Sequence, residues 1–397
     1  MTHPVPKGFR LAGVHCGIKS NTAKEDLTLI ATEKAGTAAG VYTQNLVVAA
    51  SVTQNRAKTP SDNFRVVVVN SGNANACTGT RGDRDCREMA RLAGDAVGGN
   101  ESQALVMSTG IIGHFLPMDR IESGITAASA KLAANDEAFD SAVRGITTTD
   151  KFLKKASRSV RIAGQSVQIT AMAKGAGMIG PNMATMLCVV MTDAELTASL
   201  AQEMLTHAAE LSFNCISVEG HTSTSDTALL LASGASGVAP ISSTDKAAFQ
   251  QTLDSVCIEL AKLIPSDGEG ATHLITLDVT GCATRGDARR IAKTVTESPL
   301  VKTAITGNDP NWGRIVSAAG YAGVSFDPAK VTLTINDTLI YEAGMPVTYD
   351  EKQVSDSMRG SFEVRLELAF GEGDASIRFW ASDLTVEYVN FNSDYST

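Results

Sequence analysis

An α/β fold is predicted by three features of the 397-residue sequence: short β-prone apolar runs, amphipathic helical runs alternating with them, and 34 glycines against 5% aromatic residues. Glycine at that level supplies the tight turns that many short elements require. Residues 66–69 read as a buried strand ending in the turn-forming string NSGNANACTG, and residues 104–107 as a second strand ending in Ser108-Thr109-Gly110. Small residues at strand ends leave backbone amides available to a ligand. Leu200, Met204, Leu205, Ala208 and Leu211 recur on one helical face, as do Phe249, Leu253, Val256, Cys257 and Leu260. Between and after these helices, residues 215–218, 227–231 and 275–279 read as strands.

The texture changes beyond Gly281. A helix over 287–295 is followed by strands at 331–335, 362–368 and 384–389, which predicts a second, smaller α+β domain. The expected division is a main α/β catalytic domain over 1–283 and the smaller domain over 284–397.

Composition narrows the function. The net charge is -9, from 34 Lys plus Arg against 43 Asp plus Glu, with no dense basic run, so nucleic acid is a poor candidate partner. The apolar stretches fall far short of the roughly 20 residues a membrane span needs, and the first residues hold no apolar signal core, so a cytoplasmic protein is expected. Seven scattered cysteines without a C-x-x-C pair, and six isolated histidines, argue against a disulfide framework or a metal site; no metal and no cofactor are expected.

The most informative segment is 174–193, KGAGMIGPNMATMLCVVMTD. Gly175, Gly177 and Gly180 have the spacing of a dinucleotide-binding turn, but that fingerprint opens a helix, and Pro181 and a β-prone run follow instead. Another chemistry suits the context. A bend at Gly180 and Pro181 can present the Ala184 carbonyl to the Thr185 hydroxyl for an N-to-O acyl shift, and hydrolysis of that ester releases an N-terminal threonine. Its α-amino group, with an unperturbed pKa of about 7.7–8.0, can then act as general base for the hydroxyl of the same residue. Taken alone, a threonine at a strand start is most often an ordinary strand residue.

The string GMIGPNMATML resembles the self-cleavage site of the ornithine acetyltransferase family, also called glutamate N-acetyltransferase. Similar strings run from end to end: TEKAGTAAGVYTQN, NSGNANACTG, STGIIGHFLPMD, TTDKF, NCISVEGHTSTSDT, SDGEGATHL, GNDPNWGRI and YVNFNSDYST. The resemblance implies an α-β-β-α layered self-processing main domain, cleavage between Ala184 and Thr185, and an assembly of two copies of each product. It implies that Thr185 is the nucleophile and that Thr109 and Gly110 form the oxyanion hole, where each donor is typically worth about 2.7–4 kcal/mol. Substrate contacts fall on Thr148, Lys174, Thr185, Glu269, Asn392 and Thr397, which brings the tail back to the active site. Lys174 offers a point charge to a substrate carboxylate and Glu269 a partner for an ammonium.

The implied reaction carries acetyl from N2-acetyl-L-ornithine to L-glutamate through an acetyl-Thr185 ester. Some family members also accept acetyl-CoA as donor. The alternative is a self-processing aminopeptidase or amidase of the related fold, with water as acceptor. Two strings depart from the family: EGHTSTSD at 219–226 stands where DGDTSTND is more usual, and WASDL at 380–384 where WGCDL is. Glu219, His221, Ala381 and Ser382 are therefore positions where the pocket wall differs.

Overall fold

The computed structural model describes residues 2–180 and 186–394. The chain opens with β1 (Phe9–Val14), β2 (Leu27–Tyr42), β3 (Ser61–Asn73), β4 (Ala104–Ile111), β5 (Lys154–Ile162), β6 (Gln165–Lys174) and β7 (Leu187–Thr192). It continues through β8 (Ile216–Ser217), β9 (Thr227–Ala232), β10 (Leu274–Cys282), β11 (Thr332–Ile335), β12 (Thr338–Glu342), β13 (Met345–Pro346), β14 (Glu363–Ala369) and β15 (Ala375–Ser382). The first sheet runs β4-β3-β2-β9-β7-β6-β5, with β1 also paired to β2, and the second runs β13-β12-β11-β14-β10-β15-β8.

β2 explains the layering. Its first part, through Thr32, pairs with β1 and β3; after a register shift between Ala31 and Gly36, its second part keeps β3 only at Gly36 and Ala38 and takes β9 as its other neighbour. The sheet therefore folds over itself at β2. Leu11, Ile30, Val67 and Met107 from one half join Met172, Val189 and Leu229 from the other in one buried cluster. Because strand side chains alternate, the neighbouring residues face outward and need their own cover. On one side α2 (Gly79–Ala96) and α3 (Met118–Ser129) bury Leu29, Val68 and Val106. On the other, α5 (Ala198–Leu211) and α6 (Ser243–Ser266) bury Ala171, Val190 and Leu230. The result is the α-β-β-α order, with α1 (Ala50–Lys58) and α4 (Asp136–Ile146) also contributing to the central cluster.

The cluster around α5 and α6 continues into the second sheet through Ile275, Leu277 and Phe379. That sheet is accompanied by α7 (Arg285–Glu297), α8 (Pro299–Thr306), α9 (Trp312–Gly320) and α10 (Glu351–Arg359). β10 lies before residue 283 yet pairs parallel with β14 and antiparallel with β15, so the second sheet draws strands from both sides of the expected boundary.

Two local expectations are corrected. Residues 384–389 form no strand: β15 stops at Ser382 and helix α11 (Val386–Asp394) follows. Leu384, Val386 and Tyr388 alternate as in a strand, but Thr385 Oγ1 accepts the Tyr388 N–H as a helix cap would, and Val386 and Val389 point to solvent. Period two over five residues was too short to outvote that capping. Residues 215–218 are a 3-10 turn over Phe213–Cys215 followed by a two-residue strand, β8.

Candidate active site

One cavity of about 210 Å³ is lined by Thr109, Gly110, Thr148, Lys174, Glu269 and Asn392, together with Glu219, His221 and Tyr388. Six residues expected at the site thus meet, although they come from β4, the loop after α4, the end of β6, the loop after α6 and α11. Ala184, Thr185 and Thr397 lie outside the described residues. The volume is below the roughly 300–1,000 Å³ usual for drug-sized ligands and suits one amino-acid derivative at a time.

β4 brings Thr109 and Gly110 to the cavity from the end of a buried strand. Thr109 Oγ1 accepts from Lys174 Nζ at 3.2 Å, which leaves the threonine proton free to donate elsewhere. Gly110 sits at φ +128, and a Cβ there would stand 2.3 Å from the Gly72 carbonyl carbon, so only glycine lets β4 lie this close to β3. Lys174, at the end of β6, is 3% exposed. Burial lowers its pKa, and Asp150, Glu269 and Asp226 pull against that shift.

A buried ionic cluster holds this side of the cavity. Lys154 Nζ donates to Asp150 Oδ1 at 2.6 Å and to Asp267 Oδ2 at 2.5 Å, with all three side chains almost fully enclosed. Asp150 also accepts the N–H of Gly175 at 2.8 Å and of Thr148 at 3.1 Å. Asp267 accepts the N–H of Lys151 at 3.0 Å. Burial pushes Asp150 up, but Lys154, Lys174 and the Gly175 amide outweigh it and hold its carboxyl at about 2. The cluster positions Thr148, the backbone after Lys174 and the loop carrying Glu269.

The opposite wall is acidic. Glu269 Oε1 accepts from the Thr149 hydroxyl at 2.8 Å and Oε2 from the Asn392 amide at 3.1 Å. The tail can come this near because Gly270, at φ +73, has no side chain: a Cβ would stand 2.4 Å from the Tyr388 nitrogen. Glu219 Oε1 accepts the Ile179 N–H, and the Ile179 carbonyl accepts from Val218, Glu219 and Gly220. That clamp fixes the chain two residues before 181. Burial lifts Glu219 to about 8 and, with Glu219 and Glu269 nearby, lifts the Tyr388 phenol to about 12. A cation on one wall and carboxyls on the other match a ligand with a carboxylate and an ammonium at its two ends.

Sequence reasoning passed over Thr149, Asp150, Lys154, Asp267 and Tyr388 as site components. All but Lys154, two residues past TTDKF, fall inside TTDKF, SDGEG and the tail string, but no spacing rule joins residues so distant. Glu219 and His221 were visible only as departures from a familiar string.

The sequence model of the ArgJ family matches residues 10–397. The arginine biosynthesis bifunctional protein ArgJ of Rhodopirellula baltica is 48% identical over 399 residues, covering 100% of this chain and 97% of that protein. The protein of the same name from Symbiobacterium thermophilum is 47% identical, covering 99% and 98%. The crystal structure of arginine biosynthesis bifunctional protein ArgJ from Bacillus halodurans matches with a TM-score of 0.51 at 35% identity, covering 52% of this chain and 98% of that chain.

Proposed function

The chain belongs to the ArgJ family, and from that premise we propose that it transfers the acetyl group of N2-acetyl-L-ornithine to L-glutamate in arginine biosynthesis, through an acetyl ester on Thr185. The observation that carries this reading is the single cavity in which Thr109, Gly110, Thr148, Lys174, Glu269 and Asn392 converge.

The chain first cuts itself. The Thr185 hydroxyl attacks the Ala184 carbonyl, the peptide C–N bond breaks as its nitrogen is protonated, and water hydrolyses the ester to leave Thr185 with a free α-amino group. That amine takes the hydroxyl proton as the oxygen attacks the acetyl carbonyl of acetylornithine. The Thr109 hydroxyl and the Gly110 amide donate to the oxyanion, and Lys174 and Glu269 hold the carboxylate and ammonium ends. Ornithine leaves with the proton, its place is taken by glutamate, and the glutamate amine accepts the acetyl group. Thr397 completes the substrate contacts from the tail. Acetyl-CoA belongs to the same proposal as a second donor, because either donor leaves the same ester on Thr185.

A match covering 98% of a solved chain but 52% of this one supports a two-chain product, since cleavage after Ala184 leaves a second fragment of 213 of the 397 residues. The proposal extends to an assembly of two copies of each fragment in the cytoplasm. Among the described residues no helix is long and apolar enough to cross a membrane. Acetyl transfer through an ester changes no oxidation state and proceeds with side-chain and backbone groups, so the proposed reaction calls for neither metal nor cofactor.

Ornithine release from acetylornithine, measured with and without glutamate, tests this reading. A single turnover per site without glutamate and sustained turnover with it are expected. Sustained release without glutamate would assign water as acceptor and overturn the transferase.

A further inference from the structure

The proposed reaction asks one small cavity to admit two side chains of opposite charge, the δ-ammonium of ornithine and the γ-carboxylate of glutamate. A wall of fixed negative charge would favour the first and repel the second. The two carboxyls opposite Lys174 are held differently. Glu269 accepts hydrogen bonds at both oxygens, from Thr149 and Asn392. Glu219 accepts at Oε1 from the Ile179 amide, while its Oε2 is shielded from solvent and has no hydrogen-bond partner among the described residues. A buried carboxyl oxygen without a donor is costly when ionised, and a protonated one lacks an acceptor. A ligand supplies either: an ammonium donates to the ionised carboxyl, and a carboxylate accepts from the protonated one. The terminal carboxyl torsion is soft enough for a ligand at the wall to meet either oxygen.

We propose that Glu219 matches the charge of the pocket to its occupant, releasing its proton to solvent when the ornithine side chain enters and holding a proton when the glutamate side chain enters. This inference rests on the acetyl-transfer reading. The groups facing Glu219 leave both states within reach. Lys302 of α8 is 3% exposed and gives its ammonium to the Val218 carbonyl. Glu269 and Tyr388 face it across the cavity, Glu297 of α7 packs against Gly220, and His221 follows it in the chain. Burial raises Glu219 most; the Ile179 amide, Lys302 and, more weakly, the His221 amide pull it down, Glu269 adds an upward push, and the group comes to rest at about 8. Burial likewise brings Lys302 down to about 8. Glu219 is therefore a carboxyl that changes charge near neutral pH.

Calorimetric titration of the self-cleaved enzyme near pH 8 tests the inference, with L-ornithine and L-glutamate added separately in buffers of different ionisation enthalpy. Neither ligand alone carries an acetyl group, so no turnover interferes. Ornithine binding should release protons and glutamate binding should take them up. In Glu219→Gln the opposition between the two linkages should vanish, while the Thr185 α-amine and Lys302, which also titrate near pH 8, remain in both complexes. Ornithine should bind that variant about tenfold more weakly and glutamate no more weakly than before. His221→Asn should keep both linkages. Linkages of the same sign in the wild type, or linkages of opposed sign that survive in Glu219→Gln, would overturn the proposal. If that variant fails to fold, the two wild-type titrations decide alone. An enzyme that transfers acetyl but lacks opposed linkages refutes only this inference, whereas one that neither binds these ligands nor transfers acetyl refutes the functional reading as well.

Discussion

Two lysine–carboxylate clusters border the cavity, and they are built on opposite plans. In the first, Lys154 touches both Asp150 and Asp267, and backbone amides of Thr148, Lys151 and Gly175 add to it, with Asp267 Oδ1 left without a donor among the described residues. In the second, Lys302 spends its ammonium on the Val218 carbonyl, and Glu219 keeps an oxygen without a donor. Both are buried, so burial does not separate them. The direct cation does: Lys154 bonds both Asp150 and Asp267, and Asp150 is held at about 2 while burial still raises Asp267. Glu219, which no lysine touches among the described residues, rises to about 8 and can change state. The first cluster is a fixed frame for Thr148, the backbone after Lys174 and the loop carrying Glu269. The second is the adjustable wall.

Breaking the frame should have the largest effect. Lys154→Met leaves two enclosed carboxylates without their common cation, and about 3–5 kcal/mol of stability should be lost in urea unfolding. Lys302→Met should cost clearly less, because no carboxylate loses a direct ion-pair partner. Equal losses would remove the distinction between the clusters.

Next in size is the donor that β4 brings to the substrate. Thr109→Ala should lower kcat by about 10²–10³-fold with little change in KM, since an oxyanion donor acts in the transition state. Steady-state kinetics with acetylornithine and glutamate would show it. Unchanged turnover would take Thr109 out of the mechanism.

Asn392→Ala tests the acidic wall at the tail. Loss of its hydrogen bond to Glu269 should lower kcat/KM for acetylornithine about tenfold, while the chain still folds and cleaves. Full activity would show that α11 only covers the cavity.

The smallest effect is a pH dependence of stability. Glu219 binds its proton more tightly in the folded chain, about 8 against an ordinary 4.5, so its contribution is fully present below pH 4.5 and is lost as pH rises toward 8. Lys302 is shifted down from 10.5 to about 8 and acts only above that window. The wild type should therefore lose more Tm between pH 5 and pH 8 than Glu219→Gln does. Parallel melting curves for the two proteins would contradict the assignment of that titration to Glu219.

The helices whose apolar residues recur over three turns, α5 and α6, were legible in the sequence, as were β7, β9 and β10 with their short apolar runs. α11 was not, because Leu384, Val386 and Tyr388 mimic strand alternation and the Thr385 cap reveals the helix. The expected site residues came from family-like strings rather than from spacing. Physical reasoning on residue types could suggest a nucleophile at Thr185, yet nothing local tells that Lys154 and Asp267, 113 residues apart, share a hydrogen bond. Contacts of that kind are set by the folding of the first sheet at β2 and by where α6 ends.

The claim that Thr185 both cuts the chain and carries the acetyl group is tested most directly by intact-mass measurement of the purified protein, incubated with acetylornithine in the absence of glutamate. The account predicts two fragments of 184 and 213 residues, with one acetyl group on the second that disappears when glutamate is added, and an unmodified, uncut chain for Thr185→Ala. Cleavage in Thr185→Ala, or a cleaved wild type that transfers acetyl while never carrying it on the 213-residue fragment, would contradict it.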